Sequence, residues 1–395
     1  MKTPTRRIIT SLTTAANLAV FVVPTNADTL FTRIAGMGTP IPGGRGNFTA
    51  FNPPAMDDGV VAFKGDGTGG QDGAYVYSNG SLDVIADHST LIPGRSDTFA
   101  GLGEPTTSMR NFAFQGVDNA DNVGIYTVVD GVLDVVADTT TDIPGTTGKF
   151  TTFGPPSLDD AYIAFAASNV SGIYTNVGGT LHVVADTNSG GYLSFGSHVS
   201  LDDGRIAFQG NGSGSQGIYL ANGGLSVVAD RNTPIPGGTG NFSSIGVPTL
   251  DGGTVAFDGG GPGGTGIYTA KDGMFDIVAD LTTPIPEGTE SFLGFANQPS
   301  VDQGNVAFRG WGNTENGIYA KIDGTLMKVV DLNDKLDGKT PSNLWIGPEA
   351  LDGDRLAFLA EFGGGGSYGI YVATVPEPAT FTLLSLGGFA LLRRR

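Results

Sequence analysis

FSSIGVPTLDGGTVAFD, residues 242–258, is the stretch of sequence that decides the fold. It is followed by GIY at 266–268 and by DGMFDIVAD at 272–280. The pattern recurs seven times, and the Phe residues of its Ala-Phe pair lie 51, 51, 43, 49, 51 and 50 positions apart. A period of this length indicates a repeat architecture such as a propeller or a solenoid. The pairs are Ala62-Phe63, Ala113-Phe114, Ala164-Phe165, Ala207-Phe208, Ala256-Phe257, Ala307-Phe308 and Ala357-Phe358.

Each repeat contains four short segments that predict β-strands. They are an aromatic pair, a segment ending in Ala-Phe, a Gly-Ile-Tyr segment and a β-branched run before Ala-Asp. All are rich in Val, Ile, Phe and Tyr, are bounded by Gly, Asp, Asn or Pro, and lack helical periodicity. Four strands in about 50 residues match one propeller blade. Hairpin turns between the third and fourth strands are predicted at Asn79-Gly80, Asp130-Gly131, Asp272-Gly273 and Asp323-Gly324.

The two ends of the repeat region complement each other. The seventh repeat stops after GIYV at 369–372 and has no fourth strand, whereas residues 30–35 form an unpaired fourth strand before the first repeat. Pairing these segments would close a ring without an exposed sheet edge. A solenoid would instead carry distinct caps at its ends. We therefore predict an all-β, seven-bladed β-propeller over residues 28–374, closed by its N-terminal strand, in preference to a solenoid.

Composition limits the classes of ligand. The chain has 395 residues, no Cys, and 39 Asp and Glu against 21 Lys and Arg, for a formal net charge of −18. Disulfides, thiolate metal sites and a Cys nucleophile are therefore excluded. Such an acidic surface repels nucleic acid and anionic lipid. It suits neutral or cationic glycans, proteins or divalent cations.

Residues 1–27 read as a secretory signal peptide. Lys2, Arg6 and Arg7 form a charged start, an apolar run follows, and small residues precede a cut after Ala27. The alternative is a first transmembrane helix, but the run is short and polar for a membrane span. We therefore expect an exported protein whose mature chain begins at Asp28.

The C-terminal segment, residues 375–395, has three parts in order. A Val-Pro-Glu-Pro sequence precedes an apolar run, and an Arg cluster ends the chain. This tail resembles the PEP-CTERM sorting signal of Gram-negative bacteria. The resemblance implies recognition by an exosortase and the secretion machinery, processing near the motif, and delivery to the cell surface or extracellular matrix. The residues that carry this implied processing are Pro376, Glu377, Pro378, Arg393, Arg394 and Arg395.

The apolar run of the tail predicts a short C-terminal hydrophobic helix. It would enter the inner membrane transiently and leave the Arg cluster in the cytoplasm. A plain membrane anchor without processing is the alternative.

The Gly-x-x-Ala-Phe element resembles bacterial tandem-repeat proteins with an N-x-x-G-x-x-A-F motif. The Asn of that motif is not kept, and the resemblance implies no activity. Its Gly is present at Gly59, Gly204, Gly253 and Gly304 and is replaced at Arg110, Ala161 and Asp354.

Two acidic positions recur with the repeat. One lies six residues before the Phe of Ala-Phe, at a turn where Asp bonds the backbone that follows it. The other follows the fourth strand, where a role in turn formation is again favoured. The first set is Asp57, Asp159, Asp202, Asp251, Asp302 and Asp352, with Ser108 in the second repeat. The second set is Asp87, Asp138, Asp186, Asp230, Asp280 and Asp331.

Calcium is the alternative reading of the acidic loops, since it takes about six to eight oxygen ligands. The chain contains no D-x-D-x-D-G loop, and we expect no cofactor unless calcium binds. Two tryptophans, Trp311 and Trp345, either stack on sugar rings or fill the core, and packing is favoured. The candidate calcium ligands are Asp118, Asp121, Asp138, Asp230 and Asp280.

No catalytic motif stands out. The three histidines occupy different repeat positions, and no nucleophile elbow, phosphate loop or zinc-protease helix appears. We expect a non-enzymatic surface or matrix protein that binds exopolysaccharide or another protein, or has a structural role. The alternatives are a glycan hydrolase or lyase with its site over the central channel, and a calcium-stabilised adhesin. Non-repeating acids, His or Arg at one channel mouth would indicate an enzyme.

Overall fold

The computed structural model describes residues 29–188, 191–212, 216–296, 298–363 and 366–376. All regular structure in these ranges is β-strand, and it forms the seven sheets of a β-propeller. The predicted signal peptide and C-terminal helix lie outside the described residues. Within those ranges, no helix is long and apolar enough to cross a membrane.

The strands of the first four blades follow one another along the chain. Blade one contains β2 (Phe48–Phe51), β3 (Ala55–Asp57), β4 (Val60–Gly67), β5 (Gln71–Ser78) and β6 (Ser81–Asp87). Blade two contains β7 (Phe99–Leu102), β8 (Thr106–Ser108), β9 (Asn111–Asp118), β10 (Val123–Val129) and β11 (Val132–Asp138). Blade three contains β12 (Thr152–Phe153), β13 (Ser157–Asp159), β14 (Tyr162–Ser168), β15 (Gly172–Thr175) and β16 (His182–Asp186). Blade four contains β17 (Tyr192–Asp202), β18 (Arg205–Gly212), β19 (Gln216–Ala221) and β20 (Leu225–Asp230).

The last three blades repeat this order, and the first strand of the chain joins the seventh. Blade five contains β21 (Ser244–Ile245), β22 (Thr249–Asp251), β23 (Thr254–Gly261), β24 (Gly264–Lys271) and β25 (Met274–Asp280). Blade six contains β26 (Gly294–Phe295), β27 (Ser300–Asp302), β28 (Asn305–Trp311), β29 (Asn316–Ile322) and β30 (Thr325–Asp331). Blade seven contains β31 (Pro341–Trp345), β32 (Leu351–Asp352), β33 (Arg355–Phe362), β34 (Ser367–Thr374) and β1 (Leu30–Gly36).

The first strand of each blade differs from the prediction of a single segment. In six blades it is split in two, and both pieces pair with the same neighbour, as β2 and β3 pair with β4. Proline explains most of the breaks, since it lacks the N–H that a ladder needs, and Pro53-Pro54 separates β2 from β3. Blade four has no proline at this point, and its β17 runs unbroken from Tyr192 to Asp202.

The seam that closes the ring is confirmed. β1 pairs antiparallel with β34, from Leu30 opposite Thr374 to Gly36 opposite Gly369. Ala35 of β1 lies in one buried cluster with Phe63 and Tyr75 of blade one. The N-terminal strand therefore completes blade seven and joins it to blade one.

Alternation along the strands packs each blade against both neighbours. Phe257 belongs to a buried cluster with Ala207 and Ile218 of the preceding blade. Ala256, the residue before it, belongs to the next cluster together with Phe308 of the following blade. Successive side chains point to opposite faces of a sheet, so one Ala-Phe pair serves two interfaces.

In blades one to six, three aromatic rings of the repeat meet inside the blade. In blade six, Phe292 meets Tyr319 edge-on at 4.9 Å between ring centroids, and Phe308 stacks on Tyr319 at 6.0 Å. Edge-to-face and offset arrangements are the favoured geometries of aromatic pairs. The recurrence of Phe, Phe and Tyr is therefore a packing requirement of the blade.

The predicted hairpin turns are also confirmed. Both central residues of each turn have positive φ, for example 52° at Asn79 and 82° at Gly80. This conformation matches the twist of the flanking strands and favours Asn-Gly or Asp-Gly.

Candidate functional site: the central channel

The inner strands of the seven blades surround a central channel. Each inner strand contacts those of its two neighbours, from blade one to blade seven and back to blade one. Two small cavities lie on this axis, both partly open to solvent. The first lies where the inner strands begin, and we call it the channel mouth. The second lies where they end. The inner strands are β3, β8, β13, β17, β22, β27 and β32.

A ring of acidic side chains surrounds the second cavity. Each member accepts a hydrogen bond from a backbone N–H of the next blade, as Asp302 does from Gly353 at 2.6 Å and Asp352 does from Gly59 at 2.8 Å. Ser108 takes the same role in blade two, with the N–H of Asp160 at 2.9 Å. This corrects the expectation that these residues bond their own turn, because the ring joins neighbouring blades. The members of this acid ring are Asp57, Ser108, Asp159, Asp202, Asp251 and Asp302, which line the cavity, and Asp352, which makes the same bond to the next blade.

The acid ring concentrates negative charge in a confined space. Burial raises the pKa of four of its carboxylates, and repulsion from other ring members raises it further. For Asp302 the pKa rises to about 6, although the N–H of Gly353 opposes the shift. At neutral pH the carboxylates of the ring therefore repel one another, and protonation of a carboxylate reduces this repulsion. The four are Asp57, Asp159, Asp202 and Asp302.

Replacing Asp302 with Asn is expected to stabilise the protein at pH 7 by about 1 kcal/mol after solvent screening, and to have little effect near pH 4. A carboxyl whose folded pKa is raised contributes stability below its ordinary pKa, and this is lost as the pH rises through about 6. Asn keeps an acceptor for the Gly353 N–H and carries no charge. Urea unfolding from pH 4 to pH 7 measures the difference.

Asp280→Asn is the matched control, since it should show the opposite sign. Burial raises the pKa of Asp280, but hydrogen bonds from Thr282 and Thr283 outweigh burial and leave the pKa below its ordinary value. Its contribution is present above the ordinary pKa and is lost as the pH falls, so Asn should destabilise at pH 7. A parallel pH dependence for the two variants would refute the account of the acid ring.

Glu349 spans the channel between the two cavities. It belongs to blade seven, yet its carboxylate accepts hydrogen bonds from the hydroxyls of Thr106 in blade two and Ser157 in blade three, the latter at 2.8 Å. Those blades lie across the axis from blade seven. Burial raises the pKa of Glu349, and the two hydroxyls oppose that shift. The side chain of Glu349 therefore separates the two cavities and closes the inner end of the mouth. We call the mouth a blind pocket because it opens at one end.

The channel mouth is where the repeat symmetry breaks. In the tier ten residues before the Phe of each Ala-Phe pair, most blades carry Pro or Val, but three carry Glu104, His198 and Gln298. The side chain of Asn52 donates to Glu104 at 2.7 Å. Burial lowers the pKa of His198, and the Glu104 carboxylate offsets part of this shift, so the imidazole is neutral at pH 7. The full tier is Pro53, Glu104, Pro155, His198, Val247, Gln298 and Pro348.

Two buried polar atoms at the blade-five and blade-six side of the mouth have no partner among the described residues. One is the Nε2 donor of Gln298, which lines the mouth, and the other is the Oδ1 acceptor of Asp258, which lies next to Gly246 and does not line the mouth itself. The backbone N–H of Gln298 bonds the Asp258 carboxylate, so the two groups are neighbours. Buried polar atoms without partners are rare in folded proteins. A group that both accepts and donates a hydrogen bond would satisfy both atoms.

The candidate calcium ligands do not converge on the channel. Arg95 bridges Asp118 and Asp138, at 2.7 and 2.6 Å, and so places a cation between them. Asp230 and Asp280 each accept the backbone N–H two residues later, which is the predicted turn role. Asp121 lies exposed in the turn after β9. Within the described ranges, no three His, Asp or Glu side chains are grouped as metal ligands would be.

The two tryptophans differ in environment. Trp345 packs against the cluster between blades seven and one, as expected for a core residue. Trp311 ends β28 on the face that carries the mouth, and 36% of it is exposed. Trp311 is therefore the tryptophan available for stacking.

Sequence reasoning missed the mouth residues. The signal lies in the position nine residues before the Phe of each Ala-Phe pair, where five blades have Pro, blade four has Val199 and blade seven has Glu349. Aligning the repeats at this position singles out Glu349, and aligning one position earlier singles out Glu104, His198 and Gln298. Of the three histidines, His198 lines the mouth, whereas His182 lies in β16 and His88 follows β6.

The last described residues leave the propeller on the acid-ring face. Thr374 pairs with Arg355, which begins β33 just after Asp352, and the N–H of Val375 donates to the Asp354 carbonyl at 2.7 Å. β1 starts beside them, with Leu30 opposite Thr374. The chain therefore leaves opposite the channel mouth.

Comparison with solved structures finds other proteins of low sequence identity. The WD40 domain of coronin from Toxoplasma gondii aligns over 90% of this chain and 89% of its own, with 14% identity and a TM-score of 0.46. The β-propeller domain of the Trilobed protease from Pyrococcus furiosus aligns over 73% and 100%, with 16% identity and a TM-score of 0.37. The polysaccharide lyase Uly1 aligns over 84% and 92%, with 12% identity and a TM-score of 0.45. No curated protein sequence matches the chain.

Two family models match parts of the sequence. Residues 183–344, from β16 to β31, are similar to a family of unknown function, DUF7453. Residues 374–395 match the PEP-CTERM protein-sorting motif, as the tail predicted. This motif marks proteins for export and exosortase-dependent sorting to the cell surface. The chain is therefore a seven-bladed β-propeller that carries a PEP-CTERM sorting motif, which begins at the last residue of β34.

Proposed function

We propose that this protein is a non-enzymatic, cofactor-independent binding propeller of the cell surface or matrix, and that its channel mouth holds a neutral segment of an extracellular polysaccharide. The observation that carries the proposal is the pair of unpartnered atoms, Gln298 Nε2 and Asp258 Oδ1, beside a blind pocket. A sugar hydroxyl donates and accepts at once, so it suits both atoms. Orientation by a few polar groups in an otherwise apolar pocket is typical of small-ligand sites.

Charge narrows the class of glycan. The mouth contains Glu104, Glu349 and a neutral His198, and none of the described residues that line it is Lys or Arg. A polymer rich in uronate or sulfate groups would meet uncompensated like charge there and from the net charge of the chain. Neutral or amino-bearing sugars avoid this repulsion. Trp311, exposed on the same face, offers a ring against which a sugar can stack.

A glycan hydrolase is the second candidate, and the presence of two carboxyl groups at one mouth favours it. Against it stands the environment of Glu349. Both of its oxygens accept hydrogen bonds, from Thr106 and Ser157. A general acid must be free to give its proton to the leaving oxygen, and this carboxyl is held by the channel wall. We therefore favour binding without cleavage.

Sorting and binding fit together in the fold. We propose that the tail enters the inner membrane transiently before processing. Secretion machinery and exosortase would act on the tail, and the glycan would bind the channel mouth of the propeller.

Gln298→Asn is expected to weaken glycan binding by about tenfold or more, because the shorter amide cannot place its N–H₂ at the same point. The measurement is an array of neutral, amino-bearing and uronate oligosaccharides, followed by titration of the best binder and a search for cleaved product. Gln303→Asn is the matched control. It makes the same change at another positive-φ residue, on the acid-ring face.

Equal affinities of the two variants would refute the mouth as the site. Cleaved product would establish the hydrolase instead. Binding only of uronate polymers would overturn the proposed neutral or amino-bearing ligand class. Binding of none of the glycans would overturn a glycan ligand altogether and leave a protein partner as the next candidate.

A further inference from the structure

The channel mouth is open to solvent at one end and closed at the other. Glu349 crosses the axis between the mouth and the acid ring, and the hydroxyls of Thr106 and Ser157 hold its carboxylate in place. The walls above it contain proline rings, among them Pro53 and Pro155, whose backbone conformation is fixed. A polymer that enters the mouth therefore cannot pass through the channel to the acid-ring face.

The polar atom that a ligand would satisfy lies inside this pocket. The Nε2 of Gln298 is buried and has no partner among the described residues, although Gln298 lines the mouth. A hydrogen bond needs an acceptor about 3 Å away, so an oxygen that bonds this atom has to enter the mouth. An internal segment of a linear polymer has chain on both sides, and both sides would have to share the pocket. The end of a chain, or a branch of one sugar, enters with chain on one side only.

A second departure from the repeat lies in the same blade as Gln298. Trp311 ends β28 opposite Gly294 of β26. A methyl group on Gly294 would overlap the indole, so glycine allows the ring to lie against β26. Blade six therefore combines an aromatic ring and an amide at positions where other blades have neither. The residues at the position of Trp311 in the other blades are Asp66, Val117, Ser168, Asn211, Gly260 and Glu361.

We propose that the mouth binds the end of a glycan chain, or a branch of one sugar, and that Trp311 stacks on a sugar that follows it outside the mouth. This inference rests on the proposed function and adds which part of the polymer is recognised. Gly294 precedes Gln298 by four residues, so their Cα atoms lie at most about 14 Å apart. A chain that leaves the mouth over blade six would thus meet the exposed part of the indole.

Chain length distinguishes recognition of an end from recognition of an internal segment. The probes are linear oligosaccharides of glucose, N-acetylglucosamine and glucosamine in increasing lengths, titrated calorimetrically against the purified full chain. The association constant per mole of chain should stop rising after the first few sugars, because each chain keeps the same number of ends. A constant that keeps growing in proportion to the number of sugars would overturn the proposal.

A cyclic glucose oligosaccharide is the matched probe, since it has the linkage of the linear chain and no end. It should bind at least about tenfold more weakly than the linear form with the same number of sugars. Equal affinities for the two forms would likewise overturn the proposal.

Two variants test the order of the two contacts. Trp311→Leu should weaken the binding of an oligosaccharide by about tenfold and leave that of the single sugar unchanged, whereas Gln298→Asn should weaken both. Leu193→Ala is the control, because Leu193 is 71% exposed near the start of β17 in blade four. It should change neither affinity. If Trp311→Leu is folded and weakens the single sugar as much as the oligosaccharide, or weakens neither, Trp311 does not hold a sugar that follows the end.

The outcomes also separate this inference from the function on which it rests. No binding of any probe would refute the glycan-binding function, and recognition of chain ends with it. Binding that grows with chain length and falls in Gln298→Asn would refute end recognition alone and leave the mouth as a glycan site.

Discussion

A chain lacking residues 30–43 is expected to melt on the order of 10 °C below the full chain and to lose a single cooperative transition. The deletion removes the antiparallel pairing of β1 with β34. It also removes Ala35 and Ile41, which are buried between blades seven and one. Burying one large aliphatic side chain contributes about 1.5–3 kcal/mol, and unpairing β34 exposes a sheet edge in addition. The closing seam is the part of the ring that no other repeat can replace.

Two point variants of β1 separate this effect from the mere loss of chain. Ala35 is 1% exposed and Leu30 is 66% exposed, although both lie in the same strand. Ala35→Asp buries an unpaired charge and should approach the effect of the deletion. Leu30→Asp should stay within about 0.5 kcal/mol of the unaltered chain. Differential scanning calorimetry compares all four proteins. An unchanged melting temperature for the truncated chain would show that the ring holds without its seam.

The architecture could be predicted because its determinants are local and repeated. Ala256-Phe257 places a small and a large side chain on opposite faces of one strand, and seven copies of that pair define seven blades. Closure of the ring could be predicted because the seventh repeat lacks a fourth strand and an extra fourth strand precedes the first repeat. Turn chemistry was equally readable, since Asn79-Gly80 adopts the positive φ angles that those residues favour.

The ring of side-chain hydrogen bonds could not be predicted, because each partner lies one repeat away. Asp251 bonds the N–H of Gln303, and Asp57 bonds that of Met109. An Asp at a turn more often bonds its own neighbours, which is what Asp230 does. Two recurring Asp residues with the same local pattern thus have different roles. Only the curvature of the ring, which brings successive turns together, distinguishes them.

The mouth was missed for a different reason. Alignment of the repeats detects residues that the blades share, whereas the side chains proposed to bind the ligand differ from one blade to the next. Glu104, His198 and Gln298 stand where other blades have Pro or Val. Single substitutions in a turn carry no periodic signal, and their convergence depends on the axis of the ring. The calcium candidates show the converse, since Asp118 and Asp138 looked available and instead surround Arg95.

Glu349 offers the second large effect, because it connects three blades across the axis. Glu349→Ala is expected to lower the free energy of unfolding by about 2–4 kcal/mol. The hydroxyls of Thr106 and Ser157 both lose their acceptor, and each unsatisfied polar group costs about 1–3 kcal/mol. Water that enters the opened channel would hydrogen-bond these hydroxyls and offset part of the lost stability.

Glu349→Gln keeps the length of the side chain and an acceptor oxygen, and it separates the loss of contacts from the loss of charge. Burial raises the pKa of Glu349, so the folded state favours its protonated form. The stability it contributes is then present at low pH and is lost as the pH rises through the folded pKa. The Gln variant should therefore match the unaltered chain in acid and gain on it as the pH rises toward 8. Chemical unfolding of the three proteins at several pH values decides the matter. If Gln is as damaging as Ala, or if its difference from Glu does not change with pH, then burial does not set the pH dependence of the stability that Glu349 contributes.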